Sequence, residues 1–282
     1  MIASALFFGL PHGAYDFWIL TDTATGKNKP SATLIIILFG YIFTALLIIG
    51  VWYFLPNLAI AGFLVLTVWH FGSGDSVWEK EGKTDWILSS IGRGSVLIFA
   101  PLTFFPTKSG VVLSGLVSIE NAQTVGFLLS VAPYIFIFGI LLILLSCTKL
   151  KAGKTSLILL ETIFLVIFFW LTTPLLAVTI YLTGVHSWRH LLRLDVYESD
   201  NKAIKPNNLP SLIYRFHRRA LPVTLFSLLG ICLIFWLWQL RISDLANYTS
   251  AYLVLLSALT VPHAILITWT EFRYQKPHLP VL

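Results

Sequence analysis

His186 and His190 stand four residues apart in the stretch Thr183–Arg193, TGVHSWRHLLR. On a helix this spacing puts both imidazoles on one face, about one turn apart. Two imidazoles so placed can reach a single metal ion. The same spacing also suits an amphipathic helix leaving a membrane with polar residues at its mouth. His12, His70 and His263 bear on the choice, because each also lies inside an apolar run, and Asp16 and Asp75 follow two of them closely. A carboxylate that accepts the far ring N–H of a ligand histidine fixes its tautomer and orientation.

The elements that must carry these residues are membrane spans. Of 282 residues, 57% are hydrophobic and only 11% charged, and the mean hydropathy is +0.82. That charge content is less than half the roughly 25% of a soluble domain. An all-α, polytopic transmembrane helical bundle is therefore expected, as one integral membrane domain over 1–282. Spans of roughly 17–25 apolar residues are needed to cross a bilayer. The apolar runs place them at about 2–20, 32–54, 57–72, 86–105, 124–147, 156–171, 173–194, 222–240 and 250–272. Nine spans is the best count, with eight to ten as the range. Pro56 and Pro174 mark tight turns, since proline favours a helix start and disfavours helix just before it. The longest polar loop is expected from Asp195 to about Leu221. No cleavable signal peptide is expected, because the first apolar run contains Pro11, His12 and Asp16. Cys147 and Cys232 read as small buried residues without a disulfide.

The net charge of +6 concerns topology and not nucleic acid. Alternating sides along the chain gives fifteen lysines and arginines, from Lys27 to Lys276, on one side and only Lys108 and Arg241 on the other. Arg93 and Arg189 lie within spans. By the positive-inside rule the crowded side is cytoplasmic, so the N-terminus lies outside and the C-terminus inside a cell (inner) membrane crossed many times.

With that topology spans one, three, seven and nine run in the same direction. His12, His70, His186 and His263 then fall about twelve or thirteen residues from the outer start of their spans, and His190 about four further. At 1.5 Å rise per residue, that is one level about 20 Å deep. Ionisable groups inside a membrane are costly and usually functional, so level imidazoles suggest a metal. His217, in RFHRR, and His278 read as solvated and uninvolved. Pro11 and Pro262 directly precede His12 and His263, where each can kink a helix and release a carbonyl. Gly9, Gly13, Gly72 and Gly74 permit close helix approach. Asp75 reads either as an outer partner of the site or as a loop residue in GDSVWEKE; Asp16 reads as such a partner or as the end of its span. Arg93 and Glu161 either pair with each other or leave Glu161 as a third acid near the site.

The motifs GLPHGAYD at Gly9–Asp16, WHFGSGD at Trp69–Asp75, HSWRH at His186–His190 and PH at Pro262–His263 occur in this order. Together they resemble the Brp/Blh family of membrane β-carotene 15,15′-dioxygenases, over essentially the whole chain. The resemblance implies a non-haem Fe(2+) centre held by His12, His70, His186 and His190. It implies β-carotene and O2 as substrates, cleaved at the central double bond to all-trans-retinal, and a functional link to a retinal-binding rhodopsin. His263 matches a family motif as well. Four neutral imidazoles leave two of six iron positions open for oxygen chemistry, whereas a fifth would crowd them. His263 is therefore expected near the site as a hydrogen-bonding group, with Asp16 and Asp75 outside the ligand set.

A polyene has no polar handle at its centre, so the bond must be selected by an apolar tunnel. Phe17, Trp18, Trp69, Phe71, Trp188 and Trp269 are candidates to line it; each also suits ordinary packing or an interfacial belt. Other readings are a membrane di-iron or haem redox protein, or a metal or proton transporter. Di-iron membrane enzymes need more clustered histidines than are found here, and a transporter would show acids along a whole pathway.

Overall fold

A computed structural model describes residue 13 and residues 32–76, 83–117, 122–148, 150–190, 192, 209–239 and 245–273. The described residues form helices and no strand. In chain order these are α1 (Ala32–Phe54), α2 (Pro56–Ser76), α3 (Lys83–Phe104), α4 (Pro106–Ser114), α5 (Ala122–Cys147), α6 (Ala152–Leu171), α7 (Pro174–Tyr181), α8 (Leu209–Gln239) and α9 (Leu245–Arg273). A π-helical stretch, Leu182–His186, prolongs α7, and helix resumes over 187–190. Helices α2, α3, α6 and α5 from Gln123 are long and apolar enough to cross a membrane. The first predicted span, with His12 and Asp16, lies outside the described residues apart from Gly13.

The chain divides into two compact units, one of residues 51–181 with 276–282 and one of 1–50 with 182–275. In the unit 51–181, α3 is the central element. Gly92 and Gly94 lie about 200° apart around it at 100° per residue, so they serve two different neighbours. A Cβ on Gly94 would collide with the Val68 carbonyl of α2, and one on Gly72 with the Ser90 carbonyl of α3. On the other side, a Cβ on Gly92 would come within 2.8 Å of the Gly139 carbonyl of α5, and one on Gly139 within 2.7 Å of Ser95 Cβ. Helices in lipid gain no hydrophobic free energy from meeting each other, so close backbone packing by small residues must hold them. Polar pairs supplement it. Ser89 Oγ donates to Ser76 Oγ at 3.2 Å, and Arg93 Nη1 lies 3.0 Å from Glu161 Oε2 of α6. The Arg93–Glu161 alternative is thereby decided in favour of a pair.

Other positions diverge from the sequence reading in instructive ways. Helix α4 occupies a connection where no element was expected. Helix α2 continues to Ser76, so Asp75 is a buried helical residue and not part of a loop. Close approach is realised at Gly72, whereas a Cβ on Gly13 would meet nothing within 4 Å.

In the unit containing 182–275, α8 starts at Leu209 and runs through Pro222, so the expected loop from Asp195 to Leu221 ends thirteen residues early. The reason is a buried stripe at helical spacing, Phe216, Ala220 and Thr224. His217 thus lies in a helix and not a loop, with Nδ1 2.9 Å from the Ile213 carbonyl. Helix α9 likewise passes through Pro262. Proline has no N–H, so the Ala258 carbonyl loses its usual partner; Tyr41 of α1 donates to the adjacent Leu259 carbonyl at 3.3 Å.

The glycine contacts generate a paired prediction. Gly72→Ala and Gly94→Ala should each destabilise the detergent-solubilised protein by at least about 1–3 kcal/mol, the usual scale of overpacking, and lower its thermal unfolding midpoint. Gly62→Ala, where a Cβ meets nothing within 4 Å, should leave the midpoint unchanged or raise it, because alanine is the better helix former.

Candidate metal centre

His70 is buried in α2, one residue before Phe71. The two rings lie 5.5 Å apart between centroids, and Ser73 Oγ reaches back to the His70 carbonyl at 3.5 Å. Asp75, 2% exposed, accepts a hydrogen bond from the Tyr181 hydroxyl at 2.5 Å. The Tyr181 ring packs edge-on against Phe71 at 6.4 Å and meets Phe169 of α6 in a tilted arrangement at the same separation. Trp69 packs edge-on against Trp86 of α3 at 5.5 Å. Tyr181 escaped the sequence reading; its only signal was a hydroxyl inside an apolar run, five residues before His186.

The other group of histidines belongs to the unit containing 182–275. His186, His190 and His263 are all buried. His186 closes the π-helical stretch, a form that occurs mostly as single turns inside α-helices and frequently at functional sites. Gly184 within it weakens the α-helical preference, and Ser187 Oγ donates to the Leu182 carbonyl five residues earlier at 2.8 Å. His190 of the resumed helix and His263 of α9 meet edge-on, with ring centroids 6.0 Å apart and planes at 66°.

The structure therefore brings His190 and His263 together, and Asp75 together with Tyr181. His12 and Asp16 lie outside the described residues, as do Phe17 and Trp18. Among the described residues, no group of three or more His, Cys, Asp or Glu side chains converges closely enough to hold a metal ion. The donors nevertheless fit one in kind. The Nε2 atoms of His186, His190 and His263 are buried and make no hydrogen bond, while each of these residues has other interactions. Imidazole nitrogens shielded from water are the donor type that iron, copper and zinc prefer.

Comparison with known proteins gives a consistent result. The sequence profile described as Beta-carotene 15,15'-dioxygenase matches residues 3–271. The probable beta-carotene 15,15'-dioxygenase Blh of Halobacterium salinarum is 26% identical over 96% of this chain and 83% of its own length. The beta-carotene 15,15'-dioxygenase of the uncultured marine bacterium 66A03 is 28% identical over 98% of this chain and 94% of its own. No solved structure matches. With a match that runs from the first predicted span to the last, this chain belongs to the beta-carotene 15,15'-dioxygenase family.

Proposed function

We propose that this chain cleaves the central 15,15′ double bond of β-carotene with O2, giving two molecules of all-trans-retinal. One C=C bond is broken and two aldehyde C=O bonds form, so O2 supplies both oxygens and no external reductant is consumed. The observation that carries this reading is the family match over residues 3–271. The buried imidazoles of two chain regions add support of an independent, chemical kind.

In this reading His12, His70, His186 and His190 hold an Fe(2+) ion, which would supply the activation of O2 that a polyene lacks by itself. The residues do the rest. Asp16 and Asp75 keep the ligand-bearing helices in position from outside the ligand set. His263, beside His190, presents a hydrogen-bonding ring to the site. Apolar walls select the bond by position along the polyene and keep bulk water away. The chain spans the membrane about nine times, with its C-terminus and most lysines and arginines in the cytoplasm. The lipid bilayer delivers the substrate, and a retinal-binding rhodopsin suits the product as acceptor.

Chain purified in detergent and supplied with Fe(II), O2 and β-carotene should form retinal as the single cleavage product, measured by chromatography. One iron per chain is expected by elemental analysis, lost on replacing His12, His70, His186 or His190 by Ala. Wild-type iron content in two or more of these variants would exclude the four-ligand centre.

Asp16→Asn and Asp75→Asn should each weaken iron affinity or turnover by roughly 10–100-fold, the usual scale for groups that orient ligands. Full activity in both would reduce these acids to ordinary helix residues.

The His263→Ala protein should keep its iron while losing much of its turnover. A metal-free His263→Ala protein, or a His263 nitrogen within about 2.0–2.3 Å of the metal, would make it a ligand instead.

A further inference from the structure

Asp75 closes the motif Trp69–Asp75, five residues after His70, and its proximity in sequence suggests that it serves that histidine. Helix geometry argues otherwise. Five residues at 100° each turn Asp75 about 140° away from His70. The residue that shares a face with Asp75 is Phe71, four before it, and these two side chains both meet Tyr181. Both members of the hydrogen bond are buried, Tyr181 at 3% and Asp75 at 2% exposure. A carboxyl group and a phenol inside a membrane helix bundle are each expensive to bury unless satisfied. Their hydrogen bond reduces both costs at once, and the flanking Phe71 and Phe169 rings hold the phenol in place.

Tyr181 is also the last residue of α7, directly before the π-helical stretch that ends at His186. A π turn joins residue i to residue i+5, so residues five apart stack roughly as residues four apart do in an α-helix. Tyr181 and His186 are such a pair. Fixing the phenol therefore fixes where the wide turn begins.

We propose that Asp75 and Tyr181 form a buried hydrogen-bonded anchor that sets the start of the π-helical turn, and through it the position of His186. Tyr181 is thereby a positioning residue for the reaction, and Asp75 acts on His186 by way of Tyr181. This inference rests on the histidine metal centre proposed above.

The test compares wild type, Tyr181→Phe, Asp75→Asn and the double variant, each purified in detergent free of metal. Each is titrated with Co(II), whose visible absorption reports the geometry of its ligands. Tyr181→Phe keeps the ring and its packing but removes the donor. It is expected to weaken Co(II) binding about 10-fold and to change the visible spectrum in the same way as Asp75→Asn. The double variant should bind no more weakly than Asp75→Asn alone, because the two groups act through one bond.

Wild-type affinity and spectrum in Tyr181→Phe would overturn the inference. So would additive losses in the double variant, since hydroxyl and carboxyl would then act separately. A lower unfolding temperature with unchanged Co(II) affinity would also overturn it, by reducing the bond to a structural role. If Asp75→Asn yields no folded protein, affinity and spectrum of Tyr181→Phe alone decide. A wild-type protein that binds no Co(II) would remove the metal centre itself, and this inference with it.

Discussion

The constraint on which the described structure depends is the backbone approach of α2 to α3 at Gly72 and Gly94. In lipid, apolar side chains are as well solvated apart as together, so the hydrophobic effect that condenses soluble proteins gives these helices no reason to pair. Pairing must come from dispersion and from polar contacts, both of which require short distances. Glycine at both crossing points permits those distances, and serines fill the remaining interface on α2 and α3. Because α3 presents Gly92 to α5 at the same depth, one helix is gripped from two sides. His70 sits two residues from the tightest of these contacts. Its backbone is therefore among the least free to shift, which suits the ligand role proposed for it.

Two polar pairs inside the bundle follow one rule. Arg93 with Glu161 and Tyr181 with Asp75 are cross-helix pairs between residues far apart in sequence. Each pair joins two helices and at the same time satisfies groups that hydrocarbon would leave unsolvated. The outward faces show the converse. Ile36, Phe39 and Phe43 of α1, and Leu157, Phe164 and Trp170 of α6, are large, apolar and exposed. In water such surfaces would drive aggregation; in a bilayer they are the surface the lipid needs.

The local irregularities of the fold lie beside buried histidines. A regular α-helix over residues 182–190 would leave every backbone group in register. The chain instead widens by one residue before His186, and Ser187 compensates with a side-chain bond to the Leu182 carbonyl. Near His263 the disturbance comes from Pro262, and Tyr41 of α1 donates to the neighbouring Leu259 carbonyl. Both departures from regular helix therefore lie beside buried imidazoles, as expected where local geometry serves a site more than stability.

Sequence alone determined the helical class and most helix boundaries. It did so because the bilayer imposes a fixed apolar length and forbids unpaired backbone, which leaves strong marks in composition. It determined the family as well, since motifs carry their residue types wherever they fall in space. Tertiary structure was needed wherever the outcome depends on a partner distant in sequence. It showed that Arg93 pairs with Glu161, that Asp75 belongs to Tyr181, and that His190 faces His263. It also extended α8 back to Leu209, because a stripe of Phe216, Ala220 and Thr224 finds burial that no local propensity reveals. Periodicity is a property of one segment, whereas burial and hydrogen bonding are properties of two, and only packing reveals the second.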